Sequence, residues 1–134
     1  MKKDFDDWNI LKKSTEIKKI VVGVHERELW WITFGLNIGV EIDGKHENYE
    51  RPAIVIKKFN NDMIWILPTT SQSKDNRFHQ KFSFNNQDYF AALTQIRTVS
   101  TKRLLRKSGM ISKEDYSAII KRMQYFFQVH ETPQ

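Results

Sequence analysis

Residues 50–70 read ERPAIVIKKFNNDMIWILPTT, and this stretch decides the fold of the chain. Its two apolar runs, residues 53–56 and 63–67, are rich in β-branched and aromatic side chains, which favour strands. Residues 59–62 between them are turn formers. The stretch therefore predicts a β-hairpin, and Pro52 suits the opening of its first strand, where a missing N–H costs little.

The segments on either side of this hairpin also predict strands. Residues 29–34, LWWITF, are aromatic and β-branched, and residues 79–84 and 89–99 carry further β-like runs. A long connection, residues 35–50, with a turn signal at Asp43-Gly44, joins the first strand to the hairpin. Because loops of this length are uncommon in compact domains, we expect this one to cover a site.

Helical spacing marks both ends of the chain. Residues 4–22 predict a helix with Asp4 as N-cap and Gly23 as stop, and residues 101–107 predict a short basic helix. Ser112 opens a final helix whose apolar stripe should pack on the sheet: Tyr116, Ile119, Ile120, Met123, Phe126 and Phe127. Many short strands with a terminal helix predict a small, strongly bent antiparallel sheet or barrel.

Composition limits the classes of function. The 134 residues suit one domain, and 40% hydrophobic with 28% charged residues is a globular balance. The net charge of +6 favours polyanionic partners, either nucleic acid or an acidic protein tail. The absence of cysteine excludes disulfides, cysteine zinc sites and thiol catalysis. No signal peptide or membrane span is evident, so we expect a cytoplasmic protein.

Three segments carry candidate chemistry, each with an ordinary alternative. Arg51 stands at the start of a strand beside the long loop. Its ordinary alternative role is a surface salt bridge. Residues 68–74, PTTSQSK, can hold phosphate oxygens and base edges, although Ser and Thr also fill ordinary turns. Residues 94–98, TQIRT, precede the basic residues 102–107, which can equally form a solvated face.

Together these segments resemble the MazF/PemK family of toxins from bacterial toxin–antitoxin pairs. The resemblance covers about residues 26–128 and leaves residues 1–25 as an N-terminal helical extension before a toxin-like domain, residues 26–134. The matching features follow in family order: the aromatic strand Glu28-Leu29-Trp30-Trp31, Gly39 and Glu41 as a Gly-x-Glu loop, Arg51-Pro52, residues 68–74, Gln95-Ile96-Arg97-Thr98, and Lys102-Arg103-Leu104.

The resemblance implies an SH3-like barrel with a C-terminal helix, mainly β, and an extra N-terminal helix. It further implies a homodimer that cuts single-stranded RNA at short sequences without a metal ion or cofactor and is blocked by the tail of a cognate antitoxin. Some relatives carry an acidic residue and an arginine where this chain has Thr94 and Ala92. Their Asp-based scheme therefore does not carry over, whereas the Arg-plus-Thr scheme does, onto Arg51 and Thr70.

A mechanism follows because RNA carries its own nucleophile, the 2′-hydroxyl. Arg51 would stabilise the charge that builds up on the phosphate, and Thr70 would hydrogen-bond the phosphate or the leaving oxygen, which predicts a cyclic phosphate product. The general base stays open between Glu41 and His46, both on the long loop. Further RNA contacts are expected from polar, basic and aromatic side chains: Ser71, Gln72, Lys74, Gln95, Arg97, His46 and Trp30, with Asn37, Trp31 and Trp65 as others.

Two other readings of the sequence remain. Related SH3-like barrels include non-enzymatic toxins that bind a protein such as gyrase, although such a toxin would not need Arg51 and Thr70. A plain RNA- or DNA-binding module also fits the charge of +6. A metal enzyme is not expected, because the four histidines form no ligand spacing: His25, His46, His79 and His130.

Overall fold

The computed structural model describes residues 2–129 and contains two helices and seven strands. Met1 and residues 130–134, with His130, lie outside the described residues. In chain order the elements are α1 (Phe5–Glu16), β1 (Glu28–Thr33), β2 (Glu50–Lys58), β3 (Met63–Thr70), β4 (His79–Phe84), β5 (Gln87–Ala92), β6 (Arg97–Ser100), β7 (Leu104–Met110) and α2 (Lys113–Phe127).

The predicted hairpin of β2 and β3 is confirmed and forms the centre of the sheet. Ala53 pairs with Pro68 and Val55 with Ile66, in antiparallel register. Asn60 closes the turn, because its side-chain oxygen accepts hydrogen bonds from the backbone amides of Asp62 and Met63, both at 2.8 Å. The apolar runs identified in the sequence are the buried part of this hairpin.

The seven strands form one bent antiparallel sheet in the order β4-β5-β3-β2-β1-β7, and β6 pairs with the first half of β3. The second half of β3 pairs with β5, so one strand joins two parts of the sheet. The predicted mainly β, SH3-like architecture is confirmed, but in the described residues the strands β4 and β7 do not pair to close a barrel.

Two apolar clusters lie on the two faces of this sheet. Helix α2 covers the first cluster with Ile119 and Met123, and the second cluster contains Val24 of the N-terminal segment. The predicted cap of α2 is confirmed, since the Ser112 side chain accepts from the amide of Asp115. The stripe does not pack along its whole length, because Phe127 is 73% exposed.

The N-terminal helix is shorter than predicted. Asp4 caps it as expected, but α1 ends at Glu16 rather than at residue 22. Ile17, assigned by its spacing to the apolar face, is 85% exposed. Val21 does reach the second cluster, but from non-helical chain whose amide is held by Thr101 Oγ1. No helix in the described part of the chain is long and apolar enough to cross a membrane.

Two predictions for residues 89–107 are wrong. The run 89–99 is not one strand, because a 3-10 turn at Leu93–Gln95 separates β5 from β6. Residues 101–107 form no α-helix: a single 3-10 turn, Thr101–Arg103, leads directly into β7. Strand β7 pairs along β1, and this tertiary pairing outweighs the helical preference of its Leu, Arg and Lys residues.

Candidate active site

A cavity of about 580 Å³ opens where β2 begins and β3 ends. The hairpin brings Arg51 and Thr70 to this place from opposite strands, and the segment between β1 and β2 covers it from one side. The lining residues come from six parts of the chain: Leu29, Trp31, Lys45, His46, Glu50, Arg51, Pro52, Thr69, Thr70, Ser71, Phe84, Asn85, Gln87, Tyr89 and Ser108.

Arg51 is the half-buried cation of this cavity. Its Nε donates to the backbone oxygen of Asp43 at 2.9 Å, and its Nη1 donates to that of Thr69 at 3.3 Å. Burial lowers the pKa of the Arg51 guanidinium from its ordinary value, and the negative charge of Asp43 partly offsets this. A guanidinium remains protonated, so this partly dehydrated fork is suited to bind an anion such as a phosphate.

The end of β3 supplies hydroxyl groups. Thr69 is buried, and its Oγ1 donates to the backbone oxygen of Pro52 at 2.9 Å, which ties β3 to β2. Thr70 is half-buried in the cavity wall, and its Oγ1 accepts from the amide of Gln72 at 3.2 Å. Because that contact uses a lone pair, the Thr70 hydroxyl proton remains able to bind a ligand oxygen.

The connection between β1 and β2, residues 34–49, is called the β1–β2 loop below. It brings Lys45 and His46 to the cavity, as predicted for His46. Lys45 and Glu50 exchange two backbone hydrogen bonds of 2.9 Å, and His46 adopts a left-handed backbone with φ 65°. The two bonds and this unusual conformation turn the loop back, and Lys45 and His46 line the same cavity as Arg51.

Aromatic and amide side chains form the opposite wall, and sequence reasoning missed most of them. Phe84, Asn85, Gln87 and Tyr89 come from the hairpin of β4 and β5. Asn85 and Asn86 both have positive φ, 51° and 62°, as a two-residue type I′ turn requires. The signal was therefore present as an Asn-Asn pair between two alternating runs.

The two adjacent tryptophans of β1 have different places. Trp31 lines the cavity. Trp30, predicted to contact RNA, packs instead against the second apolar cluster and donates from Nε1 to Glu28 Oε1 at 3.0 Å. Successive side chains of a strand point to opposite faces, which explains why only one of the pair reaches the site.

Three other predicted site residues, Glu41, Gln95 and Arg97, line a second cavity and are not brought to Arg51. Both ends of the Gln95 amide are engaged, since it donates to Val40 O at 3.0 Å and accepts from the amide of Ile42 at 3.1 Å. Gln95 therefore holds the β1–β2 loop in place, and both ends of its amide are already engaged rather than open to an RNA base.

The Glu41 carboxylate interacts electrostatically with Arg97 rather than with Arg51. Burial lowers the pKa of the Arg97 guanidinium, and the nearby Glu41 carboxylate raises it in part. The Arg97 guanidinium also lies 5.7 Å from the ring centroid of Phe34. The expected closure of Glu41 over Arg51 is therefore not what the structure contains.

The remaining predicted residues follow β3. Ser71 lines the cavity, whereas Gln72 and Lys74 lie beyond its lining. Lys74 stands close to His79: burial lowers the pKa of that imidazole, and the charge of Lys74 lowers it further. Among residues 2–129, no group of three or more His, Asp or Glu side chains is arranged to hold a metal ion.

Comparison with known proteins gives a family match. Residues 25–127 match the model of the PemK-like, MazF-like toxins of type II toxin–antitoxin systems. A comparison with curated protein sequences found no significant match.

Solved structures with the same fold include toxins of this kind. A MazF from Deinococcus radiodurans is 15% identical, with a TM-score of 0.65 over 82% of this chain and 98% of that one. A mycobacterial endoribonuclease crystallised with its cognate antitoxin is 7% identical, with a TM-score of 0.59 over 78% of this chain and 95% of that one. At these identities the likeness concerns the fold alone.

Proposed function

Because the chain belongs to the PemK-like, MazF-like toxins of type II toxin–antitoxin systems, we propose that it is a metal-independent endoribonuclease acting at the Arg51 cavity. One observation above all supports this activity: a partly dehydrated guanidinium and the Thr70 hydroxyl line the same open cavity. Aromatic and amide side chains line the cavity too. Bases of single-stranded RNA stack on aromatic side chains and form hydrogen bonds with polar ones.

The reaction uses groups that RNA itself supplies. The 2′-oxygen forms a bond to the adjacent phosphorus, the bond from phosphorus to the 5′-oxygen breaks, and the product keeps a 2′,3′-cyclic phosphate. The 2′-proton passes to a base, and the departing 5′-oxygen takes up a proton. The protein needs only to orient the phosphate and stabilise its growing charge.

Each role has a candidate on the cavity wall. Arg51 binds the phosphate oxygens through its guanidinium, since among the described residues its Nη2 forms no hydrogen bond. Thr70 donates its hydroxyl to the phosphate or to the leaving oxygen. His46 is the base, because the loop carries it to this cavity and a neutral imidazole nitrogen can accept a proton. Trp31 stacks on a nucleobase of the RNA, and Ser71 contacts the RNA backbone.

Residues outside the cavity have supporting roles in this proposal. Gln72 and Lys74 contact the RNA backbone where it leaves the site, and Arg97, with Glu41 beside it, contacts a nucleotide further along the strand. Gln95 acts by holding the loop. We assign catalysis to Arg51, Thr70 and His46, and no proton transfer to Glu41.

The family also suggests partners. Structures of MazF from Deinococcus radiodurans include complexes with MazE. We propose that a cognate antitoxin blocks this chain by laying a tail across the cavity, and the net charge of +6 would favour an acidic segment there. A homodimer would cover exposed apolar side chains such as Phe127. Cleavage of cellular RNA would take place in the cytoplasm.

The proposal is tested by incubating the purified chain with a long single-stranded RNA in EDTA. We expect discrete cuts with cyclic phosphate ends, which disappear in Arg51→Ala. Arg122→Ala is the matched control, because Arg122 lies on α2 and binds the backbone oxygen of Arg77. Full cleavage by Arg51→Ala would refute the assignment. Growth arrest on expression without any cut RNA would favour a toxin that binds a protein.

A further inference from the structure

Helix α1 lies outside the matched segment, residues 25–127, and yet packs against the β1–β2 loop. Its contacts with that loop come from Lys3, Asp7 and Trp8, at and before the first turn of the helix. The same loop supplies His46 and Lys45 to the cavity and a hydrogen bond to Arg51. The loop is thus contacted by the N-terminal segment on one side and by Arg51 of the cavity on the other.

The first contact leads from Lys3 to Arg51 through one residue. The Lys3 ammonium lies 2.8 Å from Asp43 Oδ2 and donates to the backbone oxygen of Asn37 at 2.7 Å. Asp43 Oδ1 accepts from the amide of Asn37 at 2.6 Å, and the Asp43 backbone oxygen accepts from Arg51 Nε at 2.9 Å. The side chain of Asp43 is therefore fixed by the extension, and its backbone fixes the guanidinium.

The second contact holds the end of the loop next to Arg51. The Tyr49 hydroxyl donates to Asp7 Oδ2, and the rings of Trp8 and Tyr49 meet edge to face at 5.6 Å. The Tyr49 backbone oxygen accepts from the amides of Phe34 and Gly35 at 2.8 and 3.1 Å. A Cβ on Gly35 would lie 2.2 Å from the Trp8 ring, so this glycine is what lets α1 approach.

The loop has a reason to need such fixing. Tyr49 and His46 have φ of 47° and 65°, a left-handed conformation that costs energy for any residue with a side chain. From its other side the loop is tied by the Gln95 amide. Strained backbone persists only where its surroundings impose it, and α1 provides part of those surroundings.

We propose that α1, with the residues just before it, is a positioning element for the ribonuclease site: Lys3 and Asp7 hold the β1–β2 loop so that Asp43 orients Arg51. Lys3 and Asp7 are positioning residues and touch no substrate. The Arg51 guanidinium is therefore already oriented before RNA binds, and binding does not have to fix its orientation. This inference rests on the proposed ribonuclease activity.

The test compares Lys3→Met with the wild type in two measurements. The first is the turnover number on a short RNA that contains a mapped cleavage site, where we expect kcat to fall about tenfold with a smaller change in KM. The second is the exchange of the Arg51 Nε proton with water, followed by NMR and assigned with Arg51→Lys. We expect exchange to become faster, by about tenfold, because the Asp43 acceptor loosens.

Matched variants separate positioning from loss of charge or stability. Lys3→Arg keeps a cation at the same place and should restore both kcat and slow exchange. Lys13→Met removes an equal charge from α1, but Lys13 lines a separate pocket that includes Ser100 and does not contact the loop, so both measurements should stay as in the wild type. Thermal unfolding of all variants should agree to within about 2 °C.

The Asp7 contact is tested by a readout of its own. Hydrogen bonding to Asp7, followed by burial and by the charges of Asp7 and Asp4, raises the pKa of Tyr49 to about 12. Asp7→Asn should return the phenol titration toward 10.0 and lower kcat in the same direction as Lys3→Met. An unchanged titration would mean that the contact is absent in solution and would overturn this half of the proposal.

The outcomes keep the two proposals apart. A fall in kcat without faster exchange, or faster exchange with full kcat, overturns the positioning role of Lys3. A wild-type chain that cuts no RNA overturns the proposed function, and the exchange measurement still decides whether α1 orients Arg51.

Discussion

The guanidinium of Arg106 lies 4.6 Å from the ring centroid of Trp31, and its Nη1 donates to Glu50 Oε2 at 2.8 Å. This pairing joins β7 to β1 and β2 at the edge of the cavity. The Arg106 guanidinium lies against the indole of Trp31, and the Glu50 carboxylate holds that guanidinium in place. Together they restrict the ring to one orientation. This arrangement supports the stacking role proposed for Trp31.

Replacing Trp31 by leucine should weaken RNA binding about tenfold, because a stacked base contributes on the order of 1–3 kcal/mol. The dissociation constant is measured by fluorescence anisotropy with an RNA whose 2′-hydroxyls are methylated, so that it is not cut. Trp65→Leu is the control, since Trp65 is 38% exposed and bonds Thr98 away from the cavity. Equal effects of the two substitutions would contradict the stacking role.

Thr70→Val should lower kcat by about 10- to 100-fold and leave the fold intact, because valine has the same shape without the hydroxyl. Single-turnover cleavage at saturating enzyme measures the chemical step directly. Thr94→Val makes the same change on the exposed wall of the second cavity and should cleave like the wild type. A Thr70→Val variant with full single-turnover rate would remove Thr70 from the mechanism.

Glu28 should make stability depend on pH in acid. It is 1% exposed and accepts from Lys107 Nζ at 2.7 Å, from the His25 amide at 2.9 Å and from Trp30 Nε1 at 3.0 Å. Burial raises the pKa of this carboxyl, but the hydrogen bonds from Lys107, His25 and Trp30 outweigh it, so the net pKa lies below 4.5.

A carboxyl with a lowered folded-state pKa stabilises the fold above its unfolded value and loses that effect as pH falls through the folded value. Glu28→Gln should therefore cost about 1–3 kcal/mol at pH 7, as for hydrogen bonds to a buried charged group. The difference should shrink below pH 4.5, the ordinary value for Glu28. Urea unfolding across this range measures it, and a difference constant with pH would exclude a carboxylate contribution.

Gly44→Ala should disrupt the β1–β2 loop. A Cβ at Gly44 would lie 1.5 Å from the Tyr49 backbone oxygen, which cannot move without breaking the bonds that it accepts. We expect a loss of more than about 2 kcal/mol in unfolding free energy, together with loss of cleavage.

Gly39→Ala is the comparison for that variant. Gly39 has φ 58° but open space around its Cβ position, so only backbone strain of about 1–2 kcal/mol applies. Thermal unfolding and RNA cleavage are measured together. Cleavage by Gly44→Ala at the level of Gly39→Ala would show that the site tolerates a displaced loop.

Sequence alone predicted the parts of the fold that local patterns control. The central hairpin, the caps at Asp4 and Ser112 and strand β4 all follow from neighbouring residues. The strand β7 could not be predicted in this way, since Leu104 is buried by pairing with Ile32, some seventy residues earlier. Its composition favours a helix, and only the tertiary partner reverses that preference.

The candidate site shows the same division. Arg51 and Thr70 were predicted together from the family resemblance, and the register of one hairpin does bring them together. Glu41 was expected on the loop that closes over Arg51, and Gln95 was expected to contact an RNA base. Both line the second cavity instead, because the path of the β1–β2 loop depends on distant contacts such as those of Lys3 with Asp43. Asn85 and Gln87 come from another hairpin, whose position against β3 is a matter of sheet order rather than of local pattern.

That second hairpin separates two tasks within the cavity. Arg51 and Thr70, proposed to cut, stand on the buried central hairpin, whereas Asn85 and Gln87 stand at a solvent-facing tip. The tip can change its side chains without disturbing the core, because its two-residue turn demands only residues that tolerate positive φ. Retargeting to other RNA sequences, by natural divergence or by engineering, can therefore proceed through a few positions while the cutting groups stay as they are.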